Sequence, residues 1–153
     1  MQKIGVLLIA GVVGWMLVLV GQYWRADYLY AQGRYGEAIR LNPSEPLYRV
    51  ATGVSEEIAR AKIMAPRNVK LLEMAANRYM DLAVHEPKYY LMAIQTYEEL
   101  IILAPTYARF YYNLGMSYLA IGNTTKGKEM LQQALILKPN YEKAERLLDI
   151  IGQ

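Results

Sequence analysis

Residues 111–139 read YYNLGMSYLAIGNTTKGKEMLQQALILKP, and the spacing within this stretch decides the fold. Tyr111, Leu114 and Tyr118 recur at intervals of three and four, which places them on one face of a helix. Gly115 sits beside Leu114 on that face. Glycine costs about 1 kcal/mol in a helix interior relative to alanine, so its use there points to a close crossing with a second helix. Gly122-Asn123 ends the first helix. Thr124 or Thr125 can cap a second one, which packs the small Ala134 against its neighbour and stops before Pro139, where proline cannot continue it. The stretch reads as a helix–turn–helix hairpin.

Its ending recurs. AIRLNP closes at Pro43, AKIMAP at Pro66, LIILAP at Pro105 and ALILKP at Pro139. Five residues before each proline stands a small or aliphatic side chain: Ala38, Ala61, Leu100 and Ala134. From Pro105 to Pro139 the interval is 34 residues. With Tyr111-x-x-Leu114-Gly115-x-x-Tyr118 in place of W-x-x-L-G-x-x-Y, this unit resembles the tetratricopeptide repeat (TPR), whose period is the same. Gly127 stands where that family usually has alanine, and Leu131 where it has an aromatic. The preceding unit, about Met74 to Tyr107, fits through Ala93, Tyr97 and Pro105. In its first helix, a 34-residue offset sets Met80 and Asp81 where leucine and glycine are expected.

The resemblance implies an all-α solenoid of stacked hairpins. It covers 74–151 well and 26–73 loosely. Pro43 and Pro66 are 23 residues apart, too close for a full repeat, so Leu47 to Met64 reads as one helix with a possible break near Gly53. Arg34 to Ala38 reads as the end of a truncated first repeat. Tyr141 to Ile151 reads as a final helix whose Glu142, Lys143, Glu145 and Arg146 cover the open end of the stack.

Ahead of the repeats, Ile4 to Gly21 (IGVLLIAGVVGWMLVLVG) carries no charge over 18 residues. As a helix it spans about 27 Å against a hydrocarbon core of about 30 Å. Tyr23, Trp24 and Arg25 follow, the order expected at a headgroup boundary. A cleaved signal peptide has a shorter apolar run and a small-x-small cleavage site, and neither is present. We therefore expect a retained single-pass anchor in 1–25. Ala10 and Gly14 form one small-xxx-small pair that suits close approach of another membrane helix. Lys3 before the segment and Arg25, Arg34 and Arg40 after it leave its orientation open. A membrane helix, then AIRLNPSEPLYR, then repeats is also similar in order to the tail behind the last membrane helix of O-antigen ligase or polymerase-like proteins.

Composition narrows the function. The chain has 153 residues, a net charge of +3, no cysteine, and 14 tyrosines against one phenylalanine. Lysine and arginine are interspersed with acids, and a nucleic-acid partner would call for a dense basic stripe. Without cysteine there are no disulfides, thiolate ligands or thiol nucleophiles. His85 is the sole histidine, in a turn beside Pro87, so no metal site is expected. The adjacent acids Glu56-Glu57 and Glu98-Glu99 diverge by about 100° on a helix and cannot flank one bond. No glycine-rich phosphate loop is present, and Asn123-Thr124-Thr125 serves as a helix cap as readily as a glycosylation sequon. The expectation is a protein that is not an enzyme and needs no cofactor.

The family resemblance further implies that the first helix of each hairpin lines a concave groove. On the last full repeat that face holds Arg109, Tyr112, Asn113, Met116 and Leu119. The previous repeat, on the same offset, offers Arg78, Leu82 and His85. Asn113 matches the groove asparagine that holds peptide backbone in many such domains, although the lysines of the full carboxylate clamp are not reproduced. Three functions follow as expectations. The first is a membrane-anchored scaffold for a protein or peptide partner with some acidic character. The second is a structural subunit that self-assembles through stacked repeats. The third is an accessory or tail region of a glycan-assembly protein.

Overall fold

A computed structural model describes residues 2–152, with side chains from Gly11 onward. Among the described residues all regular structure is helical: α1 (Gln2–Ala31), α2 (Tyr35–Leu41), α3 (Pro46–Ala51), α4 (Ser55–Met64), α5 (Val69–Ala83), α6 (Tyr89–Leu103), α7 (Ala108–Ala120), α8 (Thr124–Leu137) and α9 (Glu142–Gly152). Each of the four repeated prolines follows the end of an even-numbered helix. The starts of α3, α5 and α8 carry side-chain caps. Asn68 Oδ1 accepts from the Leu71 amide at 3.1 Å. Asn123 Oδ1 accepts from Lys126 at 3.2 Å, so Asn123, and neither threonine after it, caps α8. Glu45 accepts from Leu47 at 3.1 Å and Pro46 opens α3, where a missing amide hydrogen is harmless.

Consecutive helices pair as α1–α2, α3–α4, α5–α6 and α7–α8, and α9 packs on α8. Three of these turns place a glycine in the left-handed region, Gly33 (φ 75°), Gly53 (φ 70°) and Gly122 (φ 79°), the conformation that closes a helix C-terminus at little cost only for glycine. Gly53 therefore does more than bend a helix. The expected single helix Leu47–Met64 is two, α3 and α4, folded back on each other as a hairpin with helices of six and ten residues. Short helices are how a 23-residue interval accommodates a complete hairpin.

The main core runs through α3 to α7 and includes Leu71, Leu72, Ala75, Ala76, Tyr79, Ala93, Tyr97, Leu100, Phe110, Leu114 and Tyr118. A small cluster joins Ala26 and Leu29 of α1 to Ala38 and Tyr48, so the end of α1 is the first helix of the first hairpin. A third cluster joins Leu131 and Ala134 to Ala144 of α9.

The register of α5 differs from the expected one. Adding 39 to Leu71, Leu72, Ala75, Ala76 and Tyr79 gives Phe110, Tyr111, Leu114, Gly115 and Tyr118, all buried except the half-buried Tyr111, so the core-facing stripes of the two helices align. The second helices keep the interval of 34 from Leu103 to Leu137. The five extra residues are shared among a longer α5, a turn of five residues (Val84 to Lys88) where the next hairpin has three, and the start of α6. The counterparts of Leu114 and Gly115 are therefore Ala75 and Ala76. Met80 is only half-buried and Asp81 is exposed.

Among the described residues no helix is long and apolar enough to cross a membrane. The expected anchor Ile4–Gly21 begins in residues 4–10, whose side chains lie outside the described ones.

Candidate functional site

The corrected register sets Lys70, Glu73, Met74 and Asn77 of α5 in the same row as Arg109, Tyr112, Asn113 and Met116 of α7. Two side-chain links join the two helices directly, and a third reaches α5 from α6. Arg109 pairs with Glu73. Tyr97 comes up from α6 between them, and its hydroxyl donates to Asn77 Oδ1 at 2.7 Å. Met80 Sδ lies 3.0 Å from Ser117 Oγ. Tyr97 is 1% exposed. Burial pushes its phenol well above the usual tyrosine range, while a hydrogen bond from Asn113 acts in the opposite direction. The phenol thus stays protonated and holds Asn77, with the Asn113 amide of α7 nearby. An asparagine amide offers donors and an acceptor together, so a pair held in place can meet the N–H and C=O groups of an extended chain.

The expected site residues separate into two groups. Arg109, Tyr112, Asn113 and Met116 share the α7 face. Tyr112 also packs against Tyr141 before α9, ring centroids 5.1 Å apart. Leu119 is turned toward α8: a Cβ added at Gly127 would lie 2.6 Å from its side chain, so it fills the helix crossing and does not line the groove. Arg78, Leu82 and His85 are off the row because the 34-residue offset does not apply to α5. Arg78 pairs with Asp81 on its own helix at 3.4 Å, Leu82 packs on the core, and His85 lies exposed in the long turn. Glu73 and Asn77 were missed. The available signal was Leu72-x-x-Ala75-Ala76-x-x-Tyr79, the 111–118 phrase with small residues exchanged.

Both arginines expected to meet an acidic partner are already matched by carboxylates, Arg109 by Glu73 and Arg78 by Asp81. The groove is polar and close to charge balance. Among the described residues no cluster of three or more histidine, cysteine or acidic side chains is arranged to hold a metal.

A solenoid of helical hairpins with a polar groove along its first helices is the class this geometry defines. The tetratricopeptide repeat family model matches residues 108–144, and that stretch, α7, α8 and the start of α9, is a tetratricopeptide repeat. Among solved structures, the chain is similar to the first TPR of Spaghetti (RPAP3) bound to the HSP90 peptide SRMEEVD, with 20% identity over 88% of this chain and 90% of that one, TM-score 0.56. It is similar to the second TPR domain of human RPAP3 in complex with the HSP70 peptide SGPTIEEVD, with 17% identity over 90% and 98%, TM-score 0.56. It is also similar to MamA of Desulfovibrio magneticus RS-1, with 19% identity over 87% and 82%, TM-score 0.66. At these identities the likeness is one of fold. No curated protein matches the sequence.

Proposed function

We propose that this protein is a membrane-anchored scaffold that holds an extended segment of a protein partner along the α5–α7 groove. The observation that carries this reading is Asn77 and Asn113 set around the buried Tyr97 phenol. Two of the structurally similar TPR domains hold short peptides, which supports a peptide-sized occupant. Because Arg109 is engaged by Glu73, recognition rests on backbone hydrogen bonds more than on net acidic charge. The uncharged run Ile4 to Gly21, bordered by Tyr23, Trp24 and Arg25, supports the anchor. A photo-crosslinker at Met116 of the full chain, in native membranes, tests the groove. Asn77→Ala with Asn113→Ala should cut partner capture about tenfold, the equivalent of about 1.4 kcal/mol. Undiminished capture by a variant of unchanged melting temperature sinks the reading.

The runner-up is self-assembly through α9. That helix buries Ala144 but leaves Leu147, Leu148 and Ile151 half-covered and Ile150 69% exposed. Self-assembly predicts that Ile150→Asp reduces the particle size in detergent, whereas the groove substitutions leave it unchanged.

A further inference from the structure

Resting on the anchor proposed above, we infer that one edge of the solenoid lies on the bilayer: the edge formed by the turns between hairpins, where a row of exposed isoleucines meets lipid. The argument begins with topology. Helix α1 is unbroken from Gln2 to Ala31, so no loop separates the apolar segment from the hairpin it enters. In an antiparallel hairpin, the start of the first helix and the end of the second share one edge. The anchor therefore leaves the solenoid by the edge that carries the C-terminal ends of α2, α4, α6 and α8. From Gly21 to Ala26, the first buried residue among the described ones, the helix rises about 7.5 Å. Half the difference between total and hydrocarbon thickness of a bilayer is about 5 to 8 Å. The edge thus stands at headgroup level.

Its side chains suit that level. The residue three before each repeated proline is Arg40, Ile63, Ile102 or Ile136. The three isoleucines are 80%, 80% and 72% exposed. Single exposed apolar residues are ordinary, but the same residue exposed at one register position on successive helices forms a patch. Met64, Leu103 and Leu137 follow them in sequence. The turns beyond add Arg67, the exposed ring of Tyr107, and Lys138, the mixture of apolar, aromatic and cationic groups found at membrane interfaces. Beside the anchor the position is Arg40. Arg25 of α1 lies about one helical turn beyond Gly21, so Arg25 and Arg40 gather beside the span. Such a pair complements anionic lipid. The opposite edge also carries an exposed aliphatic residue, Val84, 73% exposed in the α5–α6 turn, which supplies an internal control of equal hydrophobic character.

The chain has no cysteine, so single probes can be placed in the full protein. Val13→Cys, Ile63→Cys, Ile102→Cys, Ile136→Cys and Val84→Cys are labelled with a polarity-sensitive fluorophore in phosphatidylcholine–phosphatidylglycerol vesicles. Quenching by brominated lipid and by aqueous iodide is then read at each site. The expected result is Val13 quenched by lipid, the isoleucine sites quenched by shallow bromolipid several-fold more than Val84, and Val84 open to iodide. Isoleucine probes that match Val84 while Val13 is quenched overturn the inference and leave the anchor standing. Isoleucine probes shielded from both quenchers also overturn it, and assign the row to a protein interface. A Val13 probe unquenched by lipid, on a chain that does not float with vesicles, removes the anchor and this inference together.

Discussion

At the crossing of α7 and α8 stand two glycines, Gly115 and Gly127, with Leu119 and Leu131 closing over them. At the corresponding crossing of α5 and α6 stand Ala76 and Ala93, both fully buried, with Tyr97 where the later hairpin has Leu131. The two hairpins meet one packing requirement with different divisions of volume between backbone and side chain. Where the backbone sites are bare, a leucine from the facing helix fills the gap. Where they carry methyl groups, the aromatic at the Leu131 position is free to run on toward the groove, and Tyr97 does so. The turns differ in the same sense. The α7–α8 turn has three residues with the left-handed Gly122 at its centre, whereas the α5–α6 turn has five and needs no such glycine. Core interdigitation rewards total volume and patterning more than the identity of any one residue.

The largest effect that can break this comparison is at Gly115. A Cβ there would lie 3.0 Å from Leu131 Cγ and 3.1 Å from the Gly127 carbonyl oxygen. One of these is backbone and cannot turn aside. Gly115→Leu is expected to destabilise by about 1 to 3 kcal/mol, seen as a lower melting temperature and urea midpoint. An unchanged melt would mean that α7 and α8 do not cross there.

A second effect distinguishes the tyrosines that tie the hairpins together. Tyr118 of α7 donates to Glu98 of α6 at 2.6 Å. Burial first, and then that carboxylate, push its phenol up to about 12. Tyr48, held by Asp27, is likewise raised to about 12, burial again leading. A folded-state value above the unfolded one near 10 means that the protonated phenol favours the folded chain. That contribution is whole below about pH 10 and is lost as pH rises toward 12. Stability should be flat from neutral pH up to that window and then fall by on the order of 1 to 2 kcal/mol for each such tyrosine. Tyr118→Phe should remove its share of the alkaline fall. An alkaline profile identical in Tyr118→Phe and the parent chain contradicts this role.

The contrast between the two hairpins also explains what could be read from the sequence. Tyr111, Leu114, Gly115, Tyr118 and Pro139 stand at fixed spacings, so the α7–α8 hairpin and the face holding Arg109, Tyr112 and Asn113 were legible. The α5 register was not, because counting back from a proline assumes a constant turn length, and the α5–α6 turn breaks that assumption. Arg78, Leu82 and His85 were placed on the groove for that reason alone, and Glu73 and Asn77 were passed over. Leu119 was misplaced for a different one: its partner is the methyl group missing from Gly127, and a vacancy on a facing helix leaves no trace in local periodicity. Helices as short as α3 give too few turns for periodicity to show, which hid the second hairpin within Leu47 to Met64.

The smallest expected effect is the sharpest test of volume sharing, because it turns on a change of sign. Alanine at Gly127 should gain about 1 kcal/mol of helix propensity. Its Cβ would also lie 2.6 Å from Leu119 Cγ and Cδ2, and overpacking a filled core costs about 1 to 3 kcal/mol. The leucine is the end of a flexible side chain and can partly yield, so the two terms nearly cancel and Gly127→Ala alone should be neutral to mildly destabilising. Leu119→Ala removes the obstruction and opens a gap beside Gly127. In that background the added methyl group loses its worst obstruction, keeps only a 3.3 Å contact with the Gly115 carbonyl oxygen and fills part of the space, so Gly127→Ala should now stabilise, by up to about 1 kcal/mol. Contacting residues of this kind couple by about 0.5 to 3 kcal/mol in a double-mutant cycle, readable from four urea melts. If the two changes simply add, Leu119 does not occupy the place of the missing methyl group, and the difference between the glycine and alanine crossings needs another cause.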